Sequence, residues 1–214
     1  MSLDLPDLKT LLETFHHGRW ANRPVELPDA FPRALRDFYH TFGGLIDQPE
    51  GQPGPFAFQD RLLPSRDLRA EDGFLVFATE HQECWRYRVP LGNDDPVVET
   101  DVDDAVADRF LPLFHRLAEF LVTFALQEAV LSAAWLVDLE DDPRLPDALG
   151  LAPVALQATD IFNHPLEFFV SGDQKTLMMR HHRGIFIGSN VHALQKTIPE
   201  TFSPGLVHSP TQDR

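Results

Sequence analysis

The run from Gly73 to Glu99, GFLVFATEHQECWRYRVPLGNDDPVVE, constrains the fold more than any other stretch. Phe74, Val76 and Ala78 alternate with Leu75, Phe77 and Thr79, so a strand there is apolar on both faces. Such a strand is covered on both sides and lies centrally in its sheet. Glu80 to Glu83 is a short polar step. Over Trp85 to Val89, Trp85, Tyr87 and Val89 share one face and Arg86 and Arg88 the other, as in a half-exposed strand. Asn93 to Pro96 reads as a turn, and Val97-Val98 opens a third strand, so the run is a meander.

Helices are expected on either side of it. Leu5, Leu8, Leu11, Leu12 and Phe15 form one helical stripe, with Asp4 as N-cap and Gly18 as a C-terminal glycine. His16 and His17 diverge around that helix and are expected to face solvent. Phe31, Leu35, Phe38, Tyr39 and Phe42 form an aromatic stripe that reads as core, with Pro28 and Pro32 in the first turn and Gly43-Gly44 as the stop. Asp47 to Pro55 is a Pro/Gly-rich loop, followed by a short edge strand before Pro64 and a brief helix from Ser65. Helical register from Phe110 through Phe124 and on to Ala134 predicts the longest helix of the chain.

Past Asp138, three short strands are expected over Leu166–Val170, Thr176–Arg180 and Gly184–Ile187, then a short helix over Val191–Ile198. The expected class is α+β, a twisted and mainly antiparallel sheet with helices packed on it and a strand-rich C-terminal extension. The expected organisation is a domain over 1–138, an extension over 139–202 packed on the same domain, and a disordered tail over 203–214.

A chain of 214 residues with seventeen Phe and 43% hydrophobic residues builds such a core without staples. Cys84 is the one cysteine, which rules out an intrachain disulfide and fits a reducing compartment. Its alternation with strand neighbours predicts a small buried thiol. No run approaches the ~18–20 apolar residues of a membrane span, and the N-terminus lacks a basic, cleavable leader. A cytoplasmic protein is expected. The net charge of −15 opposes nucleic acid and anionic lipid and favours a basic protein surface. It equally serves solubility alone.

Seven acids, Asp94, Asp95, Glu99, Asp101, Asp103, Asp104 and Asp108, fall within fifteen residues that hold no Lys or Arg. They read as a partner-binding patch or, with equal force, as a solvated turn and helix entry. A negative patch speeds encounter with a basic partner more than it adds affinity. Trp20 and Trp85 are the aromatic anchor candidates, Trp85 fitting a core position better.

Leu27-Pro28, Phe38-Tyr39, Gly43-Gly44, Phe77-Ala78, Glu80, Gln82, Trp85, Asp95-Pro96-Val97 and Phe120-Leu121 occur in an order that resembles the SUKH superfamily. That group contains bacterial toxin-immunity proteins and fungal cell-wall-synthesis regulators. The likeness covers roughly residues 5–135, with Gly43, Gly44, Glu80, Trp85 and Pro96 as its signature positions. Two departures stand out: a Glu-Cys step precedes Trp85 where the family often has a glycine, and nothing after Asp138 has a counterpart. The resemblance implies an α+β domain that binds a partner protein stoichiometrically, often a nuclease toxin, and performs no chemistry.

Motifs for catalysis point the same way. The sequence has no G-x-S-x-G, P-loop, H-E-x-x-H or G-x-G-x-x-G. Glu80, His81, Glu83 and Cys84 are the best acid, base and nucleophile candidates, but strand alternation separates His81 from Glu80. His181-His182 with His164 or His192 lacks the spacing of a zinc site. The expectation is a non-enzymatic binding protein without cofactor or metal. An immunity protein against a basic toxin comes first, a regulatory scaffold second and an uncharacterised enzyme third.

Overall fold

A computed structural model describes residues 4–16, 23–48, 54–101, 110–162, 164–190 and 207–208. Trp20, Asp103, Asp104, Asp108, His17, Gly18 and the expected helix over Val191–Ile198 lie outside these residues. The elements are helices α1 (Leu5–Phe15), α2 (Arg33–Ile46), α3 (Leu117–Leu131) and α4 (Leu145–Ala148), with strands β1 (Asp60–Leu62), β2 (Arg69–Glu71), β3 (Phe74–Glu80), β4 (Arg86–Pro90), β5 (Val97–Thr100), β6 (Leu111–Arg116), β7 (Trp135–Leu139), β8 (Leu151–Pro153), β9 (Ala158–Thr159), β10 (Pro165–Ser171), β11 (Thr176–His181), β12 (Gly184–Ser189) and β13 (Val207–His208). The fold is α+β, as expected. Its strands form two sheets, and the pairings with defined register are all antiparallel. No described helix is long and apolar enough to cross a membrane.

The chain forms two compact units, and the division falls inside α3 between Ala125 and Leu126. One unit takes residues 20–125 and 159–163. Its sheet runs β1-β3-β4-β5-β6, with β2 also on β3. β3 is central, as its doubly apolar pattern requires; its register with β4 shifts between Val76 and Ala78, and Phe77 and Ala78 are both buried. On β4, Tyr87 and Val89 are buried and Arg86 is exposed, the predicted alternation. Phe77, Tyr87 and Phe124 pack around Phe120 at ring separations of 5.1–5.9 Å.

The Gly43-Gly44 pair does not stop α2, which continues to Ile46. Close approach explains the glycine at 43. A Cβ there would lie 2.4 Å from that of Val25, and the next amide, Gly44 N–H, donates to the Arg23 carbonyl at 2.7 Å. The extended segment 23–25 therefore presses directly on the helix backbone.

The long helix expected from Phe110 is shorter than predicted and has a strand on either side. Leu111–Arg116 is β6, paired antiparallel with β5. Pro112 would fall in the first turn of such a helix, where proline is tolerated, so it is the pairing with β5 that decides for a strand. The helix begins at Leu117, where the Asp95 carboxylate accepts the Ala118 N–H at 2.9 Å and the Pro96 carbonyl accepts that of Leu117 at 2.8 Å. Residues 120–126 are all buried, which fits a helix apolar on every side. It ends at Leu131, and the alternating Trp135–Leu139 pairs with β12.

The other unit takes residues 1–19, 126–158 and 164–214. β10, β11 and β12 form the predicted meander, and the sheet runs β13-β7-β12-β11-β10-β8, with β9 on β10. The sequence boundary at 138 thus falls within β7. Val207–His208, inside the segment expected to be disordered, pair with β7. Val137, Leu139, Leu145, Leu151, Met178, Ile185 and Ile187 form the core. A Cβ at Gly188 would meet the Val130 carbonyl oxygen at 2.7 Å, so β12 packs tightly on the end of α3. Asp4 caps α1 through the Asp7 N–H. His16, expected in solvent, is buried at the C-terminal end of α1, where Asn190 bonds both its Nδ1 and the Phe15 carbonyl.

Candidate functional site

Two places in the unit of residues 20–125 concentrate charged and polar side chains. The first is the corner where β3 turns into β4. Glu80 N–H donates to the Trp85 carbonyl at 3.0 Å, and Glu83 N–H to the Glu80 carbonyl at 2.9 Å. Closing so tight a turn puts Glu83 at φ 60°. The Glu80 side chain, 9% exposed, folds over this turn. Its Oε2 accepts the N–H of Gln82 at 2.6 Å and of Cys84 at 3.3 Å. This is the backbone-binding alternative to a catalytic role.

Behind the turn lies a group that sequence reasoning missed. Asp60 of β1 stands opposite Glu80 of β3 and is 3% exposed. Trp85 Nε1–H donates to the Tyr87 hydroxyl at 3.0 Å, and that hydroxyl donates to Asp60 Oδ2 at 3.2 Å. Burial pushes the Asp60 carboxyl from 3.8 up to about 7; the Tyr87 bond opposes the shift and the Glu80 charge adds to it. Apart from its place beside Leu62 in a short strand, nothing in the sequence marks Asp60 as buried.

On the outside of the corner, His81, Gln82, Glu83 and Cys84 are exposed and Trp85 is half-buried. Cys84 was expected to be buried, but residues 81–84 leave the strand before β4 resumes, so alternation does not govern them. Arg61 reaches Glu83 at 3.6 Å, and Phe58, 44% exposed, sits beside Gln59, whose carbonyl accepts the His81 N–H. Glu80 is thus bonded to backbone, with His81, Glu83 and Cys84 in solvent.

The second place is the acidic stretch after β4. Asp94 is exposed, and its carbonyl accepts the Ala34 N–H at 3.0 Å. Asp95 caps α3 as described above, and Pro96 beside it is buried. Glu99 Oε2 meets Arg88 Nε at 2.9 Å, with the Arg88 guanidinium 3.9 Å from the Phe74 ring centre and 3.8 Å from that of Phe110. Asp101, 8% exposed, accepts both the backbone N–H of Arg86 and its guanidinium, the latter at 2.8 Å. Of the four described acids in the predicted patch, Asp95, Glu99 and Asp101 therefore have structural partners, and Asp94 remains the outward one. The cross-strand pairs had a signal in the sequence. Arg86 and Arg88 alternate on one strand exactly as Glu99 and Asp101 do on the next. Val97, 47% exposed, lies among these acids.

The remaining signature positions, Gly43 and Gly44, serve the close approach of segment 23–25 described above. In the other unit, His164 and His182 bring their rings 3.8 Å apart, and Arg183 Nε donates to His182 Nε2 at 3.0 Å. A guanidinium on that nitrogen competes with any cation for its lone pair. His181 turns away and stacks on Phe186. No family model, curated protein or solved structure matches this chain.

Proposed function

We propose that this protein is a non-enzymatic binding domain of the SUKH kind, an immunity protein that neutralises a basic toxin in the cytoplasm by stoichiometric association. The observation that supports this reading best is Val97, an apolar side chain 47% exposed, three positions after the exposed Asp94. An apolar contact with an outward carboxylate nearby suits a basic polypeptide, because the charge steers encounter while the apolar side chain supplies desolvation. The net charge of −15 acts in the same direction over longer range.

The test uses the full chain as bait in a lysate of its own host. The expected result is a one-to-one complex with a basic polypeptide, whose association slows as salt is raised. Changing Asp94→Lys together with Val97→Asp abolishes that capture. Retention by the double variant, or an association rate indifferent to salt, overturns the proposal. Retention of an acidic host protein instead favours the regulatory-scaffold alternative.

A further inference from the structure

We propose that Asp60 and Glu80 form a proton-holding latch beneath the 80–85 turn, and that losing the proton loosens the turn. Two carboxyl groups occupy opposed positions on paired strands, 3% and 9% exposed. Burial disfavours charge on Asp60, and the Glu80 charge opposite disfavours it further, so Asp60 retains its proton. Glu80 accepts two backbone N–H groups of the turn. Asp60 receives the Tyr87 hydroxyl, itself bonded to the Trp85 indole.

Among the described residues, Tyr87 of β4, Glu80 of β3 and Trp85 just before β4 act on Asp60; burial raises its carboxyl to about 7, with Glu80 adding to the rise and Tyr87 and Trp85 opposing it. Outside them stand His81 and the Arg61–Glu83 pair. Once Asp60 ionises, its charge repels the carboxylate that ties down Gln82 and Cys84. The turn already holds Glu83 at positive φ, and giving up those two amide bonds relieves the repulsion. His81 to Cys84 then move together.

The folded value lies above the ordinary 3.8, so the stability that Asp60 contributes is complete below that pH and is lost as pH rises through about 7. The experiment follows the Gln82 and Cys84 amides of the full, nitrogen-15-labelled chain by NMR between about pH 5 and pH 9. Both shifts are expected to titrate with a midpoint near that of Asp60, to become flat in Asp60→Asn, and to persist in His81→Gln and in Cys84→Ser, which remove the imidazole and the thiol of the turn. A flat wild-type profile, a titration that survives Asp60→Asn, or one abolished by His81→Gln or Cys84→Ser overturns the latch. Thermal unfolding supplies a second reading. The wild-type Tm should fall relative to Asp60→Asn as pH rises from about 5 to about 7 and hold a constant gap above that, whereas curves parallel from about pH 5 refute the proposal.

Discussion

The corner at residues 58–87 and the acidic stretch at 94–101 both hold carboxyl groups on paired strands of one sheet, but they answer those groups differently. Asp101 and Glu99 meet the guanidinium groups of Arg86 and Arg88. Glu80 meets backbone amides, and Asp60 meets a tyrosine hydroxyl. A guanidinium stays charged at any ordinary pH. Neutral donors stabilise a carboxylate less, and under deep burial Asp60 holds its proton up to about pH 7. The acidic stretch therefore answers Glu99 and Asp101 with permanent positive charge, and the corner answers Glu80 and Asp60 with neutral donors.

The widest difference should appear on removing the answering group. Arg86→Ala leaves the Asp101 carboxylate, 8% exposed, without its guanidinium. The expected loss is about 2–3 kcal/mol in denaturant unfolding, since stranding a charged partner costs more than losing a neutral bond. Glu80→Ala strands two turn amides and is expected to cost about 1–2 kcal/mol, with chemical-shift changes confined to residues 80–85. A larger loss in Glu80→Ala than in Arg86→Ala would reverse the ranking of the two regions.

The same contrast explains what could be read from sequence. The central β3, the alternation of β4 and the β10–β12 meander were legible because strand period and turn residues agreed. The helix expected from Phe110 was not, because Leu111, Leu113 and Phe114 fit a helical stripe and a strand nearly equally, and only the pairing with β5 separates them. Gly43-Gly44 looked like a helix stop because glycine is commonest there. Their use for close approach depends on Val25, eighteen positions earlier. The acids from Asp94 to Asp101 were visible as charge, but their ties to Arg86, Arg88 and the start of α3 arise only when strands pair. Asp60 was invisible for the same reason. Its chemistry comes from Glu80, Trp85 and Tyr87, which the sheet register alone brings to it.

Smaller effects separate the structural acids from the outward one. Asp95→Ala removes the acceptor for the Ala118 N–H at the start of α3, and a loss of about 1 kcal/mol is expected, typical of a helix N-terminal acceptor. Asp94→Asn, at an exposed position whose backbone carbonyl accepts the Ala34 N–H, should change stability by less than about 0.5 kcal/mol. Its effect should appear instead in partner association, as a slower rate at low salt that converges with wild type at high salt. That pairing of outcomes is the sharpest division between the two roles an acid can play on this strand. If Asp94→Asn destabilises the fold as much as Asp95→Ala, the acidic stretch is structural throughout, and the charge steering assigned to it has no outward carboxylate among the described residues.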